Sequence, residues 1–175
     1  LKGLKEVSKM DAEKQLKSYF NGYALSEVNL MGEVTSANIE CYDFDCKTED
    51  GTMLTAQISK LGGKLMLFNY FKECNEDKID DETCQQKAQE FLKNMGVNNV
   101  KAVWKSDSLN TVTFNYCSVV DGVICYSDLI KVNVCKERGV VSGIEATSYY
   151  LNNTERSFNK PQISVEEAKQ KVNGN

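Results

Sequence analysis

The chain has 175 residues, 41% of them apolar and 26% charged, with a formal net charge of −4; these values suit a folded core and exclude a wholly disordered chain. Acidic and basic residues are interspersed with no basic block, which excludes the electrostatic footprint of a nucleic-acid binder, and no apolar run reaches the roughly 18 to 20 residues that span a bilayer. There is no histidine, so Ser-His and Cys-His nucleophile pairs are excluded as well.

The first residues, Leu1 to Met10, contain no signal-peptide-like apolar segment. Because the chain opens on Leu1, it is expected to be a piece of a longer protein. The first clear element is a helix start at Val7-Ser8-Lys9-Met10-Asp11-Ala12. The Ser8 oxygen can accept from a free first-turn amide, Asp11 gives a weak capping box, and Val7 can staple onto Ala12. Leu16, Tyr19 and Phe20 continue the apolar face at helical spacing. Asn21-Gly22 offers an end, since glycine takes the left-handed C-terminal conformation without penalty.

Strand-like sequence follows from about Ser36 to Thr48, turns through Glu49-Asp50-Gly51, and returns over Thr52 to Lys60. A three-residue loop with left-handed Gly51 pairs Cys46 with Leu54, Phe44 with Ala56 and Tyr42 with Ile58, which places the apolar residues of both strands on one face. Leu61-Gly62-Gly63-Lys64 leads into a further strand, Leu65 to Phe71.

The design then repeats. Ile79-Asp80-Asp81-Glu82-Thr83-Cys84 is a second capped start, and Cys84, Ala88, Phe91 and Leu92 match Ala12, Leu16, Tyr19 and Phe20 in helical phase, with Met95-Gly96 as the end. Strands are predicted over 100–105, 111–120, 123–136 and 140–150, with turns at Asp121-Gly122 and Arg138-Gly139. In the third of these, Val123 and Cys125 are out of phase with Ile130, Val132 and Val134, so a bulge is expected near Ser127-Asp128. Finally, Ile163-Ser164-Val165-Glu166-Glu167-Ala168 forms a full capping box and opens a third helix. Internal duplication accounts for three such starts. The predicted fold class is α+β: tandem modules, each one helix packed on a three- or four-stranded antiparallel sheet, over 1–74 and 77–156, with 160–175 as the helix of a third.

Few residues suggest chemistry. Asp43 and Asp45, two residues apart on a strand, share one face and read as a solvated polar face, not as a two-carboxylate glycosidase site. Gly62-Gly63-Lys64 lacks the rest of a phosphate loop and reads as a hairpin turn. The seven cysteines include no Cys-x-x-Cys pair. They are read as buried free thiols, with one disulfide as the alternative and no metal. No catalytic, cofactor-binding or metal-ligating residue is therefore assigned. The candidate partner contacts are Trp104, the sole tryptophan, which otherwise packs in a core, and Tyr149 and Tyr150, which as neighbours on a strand face opposite ways. The open edges of small sheets are the general means by which such a module captures a partner strand.

The capped Ile-Ser-x-Glu-Glu-Ala helix followed by a strand and a hairpin resembles the PepSY module. Asp121 to Val134, Gly139 to Asn153 and Pro161 to Ala168 together resemble the C-terminal region of the YpeB family of spore germination proteins. Where members carry Asn-His-Arg after the last strand, this chain reads Asn152-Asn153-Thr154-Glu155-Arg156. The resemblance implies a non-enzymatic germination role in the spore, on the extracytoplasmic side of the inner membrane, with anchoring through an N-terminal helix that this sequence lacks. It further implies a protein partner, the cortex-lytic hydrolase SleB, which the modules bind and stabilise or restrain. PepSY modules also imply the alternative of a peptidase inhibitor or the propeptide of a secreted protease. The third helix, without its own sheet, is expected to dock on a neighbour, including a second copy of the chain.

Overall fold

A computed structural model describes residues 1–159 and 162–172. Helix α1 (Lys9–Tyr19) begins where the sequence places it: the Ser8 hydroxyl accepts from the Asp11 amide at 3.1 Å. Strands β1 (Leu25–Ser36), β2 (Ile39–Thr48), β3 (Met53–Ser59) and β4 (Leu65–Tyr70) follow as an antiparallel meander. Helix α2 (Asp81–Asn94) is capped by Asp80, whose carboxylate accepts from the Thr83 amide at 2.7 Å. It leads to a second meander of β5 (Val100–Ser108), β6 (Thr111–Val120), β7 (Val123–Cys135) and β8 (Val140–Glu145). Two shorter helices close the chain, α3 (Thr147–Asn152) and α4 (Val165–Val172).

Each repeat thus supplies one helix and four strands, and the two meanders join into a single eight-stranded sheet of order β1-β2-β3-β4-β8-β7-β6-β5. The last strands of the repeats meet in the middle, where Leu67, Phe68 and Asn69 pair antiparallel with Glu145, Ile144 and Gly143. The first strands become the two edges. Both helices lie on one face and share one core: Ala12, Leu16 and Phe20 of the first repeat and Cys84, Ala88 and Leu92 of the second are buried against Phe44, Ile58, Phe114 and Val132. Each fully buried aliphatic side chain contributes about 1.5–3 kcal/mol by removal from water, so the helical faces hold the layers together. Aromatic rings cross the seam, with Phe20, Tyr23, Phe68 and Phe91 in mutual contact, and the Tyr23 hydroxyl donates to the Val141 carbonyl at 2.6 Å.

The predicted hairpin register holds: Tyr42 faces Ile58, Phe44 faces Ala56 and Cys46 faces Leu54. So does the interruption in β7, where Cys117 pairs with Leu129 and Ser118 with Cys125, leaving Tyr126, Ser127 and Asp128 without partners. Looping out an odd number of residues restores the phase, and Cys125, Ile130, Val132 and Val134 are all buried. The third helix start also forms its cap, with Glu167 N and Ser164 Oγ at 3.1 Å and Ser164 N and Glu167 Oε2 at 2.8 Å. The expectation for 160–175 falls outside the described residues at 160, 161 and 173–175.

Three expectations are corrected. The strand drawn from about Ser36 begins at Ile39, because Ala37 and Asn38 take left-handed conformations (φ 44° and 67°) in a tight turn after β1, a strand not expected from the sequence. The strand drawn to Tyr150 stops at Glu145, and Tyr149 and Tyr150 lie on helix α3 instead of alternating on a strand. Beyond Glu145 the sheet offers only one more bond, from the Ala146 amide to the Met66 carbonyl at 2.9 Å, after which the chain coils. The cysteines combine both readings: Cys74 and Cys135 form a disulfide with Cα atoms 5.8 Å apart, and Cys41, Cys46, Cys84, Cys117 and Cys125 are buried free thiols.

Candidate functional site

The connection between the repeats, from Phe71 to Asp80, has no regular structure yet is firmly tied. Besides the disulfide, Asn75 N donates to the Glu137 carboxylate at 2.9 Å, Ile79 N to the Lys136 carbonyl at 2.9 Å, and Asn110 Nδ2 to the Cys74 carbonyl at 3.1 Å. Cys74, Cys135 and Glu137 form the one group of potential metal ligands found among the described residues. The two sulfurs are bonded to each other, which takes both from any metal and leaves the carboxylate of Glu137, whose Oε2 accepts from Asn75 and from Arg138 Nη1 at 3.0 Å. Burial pushes the Cys41 and Cys46 thiols up to about 11 and also raises those of Cys84 and Cys117, so none of these four is poised as a nucleophile. A thiol is reactive as thiolate, so these act as small apolar core residues. Asp43 and Asp45 are half-buried on β2, and Gly62 and Gly63 form the left-handed turn between β3 and β4.

Helix α3 places the tyrosine pair at one end of the sheet. Tyr149 is buried, its ring 5.2 Å from that of Tyr150 at an interplanar angle of 81°, and burial raises the phenol of each. Tyr150 also borders a cleft of about 1010 Å³ between the N-terminal segment, the β1–β2 turn and the stretch after α3, whose walls include Leu1, Ile39, Lys60, Leu151 and Glu155. Lys60 is committed there. Its ammonium pairs with Glu33 at 2.5 Å and Glu40 at 3.8 Å and sits 5.7 Å from the centre of the Tyr42 ring, and the hydrogen bond to Glu33 raises its pKa further.

A second constellation, which sequence reasoning located only as a phase break, lies beneath the β7 bulge. Asp128 is fully buried, pairs with the Arg156 guanidinium, and accepts from the hydroxyls of Ser118 and Ser127. Burial alone would raise this carboxyl, but the hydrogen bonds from Arg156, Ser118 and Ser127 outweigh it and hold the group below the ordinary carboxylate range. Arg156 also donates to the Asn152 carbonyl at 3.0 Å, and Asn152 Nδ2 to the Ser127 carbonyl at 2.9 Å. The chain after α3 is thereby strapped onto the bulge. No spacing rule signals this pair; a lone Asp at a predicted strand interruption is the nearest hint.

Trp104 is 46% exposed, so the core placement considered for it does not hold. The structure brings it beside Tyr126 of the bulge, not beside Tyr149 or Tyr150. Both sheet edges carry exposed charges, Lys101, Lys105 and Asp107 on β5 and Glu27 and Glu33 on β1, which discourage edge pairing, while β1 adds exposed Leu30 and Met31 along its twelve residues.

Comparison with known proteins places this arrangement. The family model described as YpeB sporulation, PepSY1 and PepSY2 domains, matches residues 1–159. The chain is similar to the sporulation protein YpeB of Halalkalibacterium halodurans, 30% identical over 66% of this chain and 26% of that protein. It is similar also to that of Oceanobacillus iheyensis, 26% identical over 85% of this chain and 33% of that protein. To YpeB of Bacillus subtilis it is 26% identical over 100% of this chain and 39% of that protein. Among solved structures, the Bacillus megaterium YpeB C-terminal domain shares the fold with a TM-score of 0.83 at 24% identity, over 95% of this chain and 75% of that one. The chain thus spans between a quarter and two fifths of the length of these curated relatives.

Proposed function

We propose, from the premise that this chain belongs to the YpeB sporulation family through its PepSY1 and PepSY2 domains, that it serves spore germination without catalysis, as a region that binds a protein. The partner is a cortex-lytic hydrolase of the SleB type, which the chain stabilises or restrains through surface contacts. The observation that carries this reading is the match of the family model over 1–159; the buried, high-pKa thiols and the lack of any histidine fit a non-catalytic role.

The binding mode follows from the sheet. Strand β1 leaves a row of backbone groups unpaired beside exposed Leu30 and Met31, so a partner strand can add to it with main-chain hydrogen bonds and side-chain pockets. Tyr149, Tyr150 and the cleft beside them, together with Trp104, are secondary contacts. We take the units as 1–74 and 77–156, with 160–175 opening a third whose helix docks on a neighbour or on a second copy. No helix of the described residues is long and apolar enough to cross a membrane; placement on the extracytoplasmic side of the inner membrane therefore rests on an anchor elsewhere in the protein.

Purified chain mixed with the hydrolase and passed over a sizing column tests this. Co-elution, with no release of reducing ends from cortex peptidoglycan by the chain alone, is the expected result. Muralytic turnover by the chain, or separate elution at micromolar concentrations, rejects it.

A further inference from the structure

The face of the sheet turned away from α1 and α2 carries polar rows across β2 to β8, beside a small apolar cluster of Ile39, Cys41 and Met66 at one end. Strand register sets Trp104, Asn115, Lys131 and Glu145 side by side across β5, β6, β7 and β8, and the same row continues through Leu67 to Gln57 and Asp43 on β3 and β2. Two residues along, a second row carries Thr113, Asn133, Asn69, Thr55 and Asp45. At about 4.8 Å between strands, eight strands make a platform about 34 Å wide.

Two separate irregularities bring aromatic rings onto one end of this platform. Ala102 packs on the core, and in a regular strand Trp104 would do so too; the register shift between them turns Trp104 to the outer face opposite Asn115. Tyr126 comes from the loop in β7 whose other end is pinned by buried Asp128 with Arg156, Ser118 and Ser127. The rings lie 6.5 Å apart at 25°, the wide end of the about 4.5–7 Å range for aromatic pairs, and so neither hides much of the other. Trp104 is 46% and Tyr126 64% exposed.

We propose that this face binds an extended, uncharged polysaccharide, with the Trp104–Tyr126 pair stacking against a sugar ring and the polar rows hydrogen-bonding its hydroxyls. Sugars present an apolar C–H face and hydroxyl edges that both donate and accept. Asn, Gln and Thr do the same, while Asp43 and Asp45 accept. A protein-binding patch would surround its aromatic anchors with apolar side chains; here the neighbours are exposed Lys131, buried Asn115, and the half-buried Thr113–Asn133 pair, whose Asn133 amide nitrogen donates to no group among the described residues. A phosphate-bearing or otherwise anionic polymer would meet Asp43, Asp45 and Glu145 on a chain of net charge −4. A flat sheet suits a β-1,4-linked chain, which extends as a ribbon, better than an α-linked chain, which coils. This inference differs from the hydrolase-binding reading in its class of ligand and shares with it only Trp104.

Because Trp104 is the sole tryptophan, intrinsic fluorescence reports on this site alone. The whole chain is titrated with soluble oligomers of β-1,4-linked N-acetylglucosamine, of β-1,4-linked glucose and of α-1,4-linked glucose. The expected result is a saturable emission change with at least one β-linked series and none with the α-linked series. Tyr126→Ala should weaken it about tenfold, and Trp104→Ala should lose retention on the matching insoluble polymer. Far-UV circular dichroism checks that both variants are folded; if either is not, Gln57→Ala with Asn69→Ala, on the polar rows and outside the core, are used instead and should weaken binding. No saturable change with either β-linked series overturns the proposal, as does full affinity in the folded variants. A response to the hydrolase but to no oligosaccharide also overturns it, in favour of a protein contact.

Discussion

Phe68, in the last strand of the first repeat, stacks on Phe91, in the helix of the second, with ring centroids 5.6 Å apart and 27° between their planes. The two repeats therefore share a core across the β4–β8 seam and should not unfold separately. Phe91→Ala is expected to cost about 3 kcal/mol through lost burial and the cavity left behind, read from urea unfolding. In the unaltered chain, far-UV dichroism and Trp104 fluorescence should report one coincident transition. Two separated transitions would show that the halves are independent.

The seam also carries a polar bond, from the Tyr23 hydroxyl to the Val141 carbonyl at 2.6 Å, and burial raises the Tyr23 phenol well above its usual range. Tyr23→Phe keeps the ring contacts and removes only the hydroxyl. A loss of about 1 kcal/mol is expected in the same unfolding experiment. An unchanged midpoint would mean that water replaces the bond without penalty.

Asp128 makes stability depend on pH in a definite direction. Its carboxyl is held below the ordinary range in the folded chain. The ionised form is therefore favoured by folding, and its contribution is complete above the unfolded value of about 3.9 and disappears as pH falls through the lower folded value. Asp128→Asn should be less stable than the parent by about 2 kcal/mol at neutral pH, and thermal melts at acid pH should bring the two together. A gap that stays constant across this range would remove the ion pair from the account.

The disulfide closes a loop over a sequence separation of 61, for which chain entropy sets a stabilisation of about 4 kcal/mol. Reduction, or Cys74→Ser, should lower the urea midpoint accordingly while leaving the secondary structure intact, since the linker keeps its hydrogen bonds to Glu137 and Lys136. Alkylation of the denatured chain should label five thiols before reduction and seven after it. Seven labels without reductant would show that the bond does not form.

Much of this was readable from local rules. Ser8, Asp80 and Ser164 announce their helices because a capping oxygen and its amide lie three residues apart, and Gly51 fixes the β2–β3 register because only one loop length puts Phe44 and Ile58 on the same side. Strand β1 was not readable, because its register slips twice against β2, between Leu25 and Glu27 and between Leu30 and Gly32, and each slip breaks the alternation that marks a strand. Helix α3 was missed for the opposite reason. Thr147 to Leu151 has the branched and aromatic composition of a strand, and only the lack of a neighbouring strand past Glu145 lets it coil.

The sequence by itself determined the duplicated capped helices, most strands of the meander that follows each, the phase break in β7 and the family, since all of these are properties of neighbouring residues and their period. Only the tertiary structure decided that the two meanders fuse through β4 and β8, that Cys74 meets Cys135, that Arg156 neutralises Asp128, and that Trp104 and Tyr126 share an outer face. Each of those pairs residues far apart in the chain, and such contacts depend on how whole layers pack and where a bulge turns a side chain, which no local pattern records.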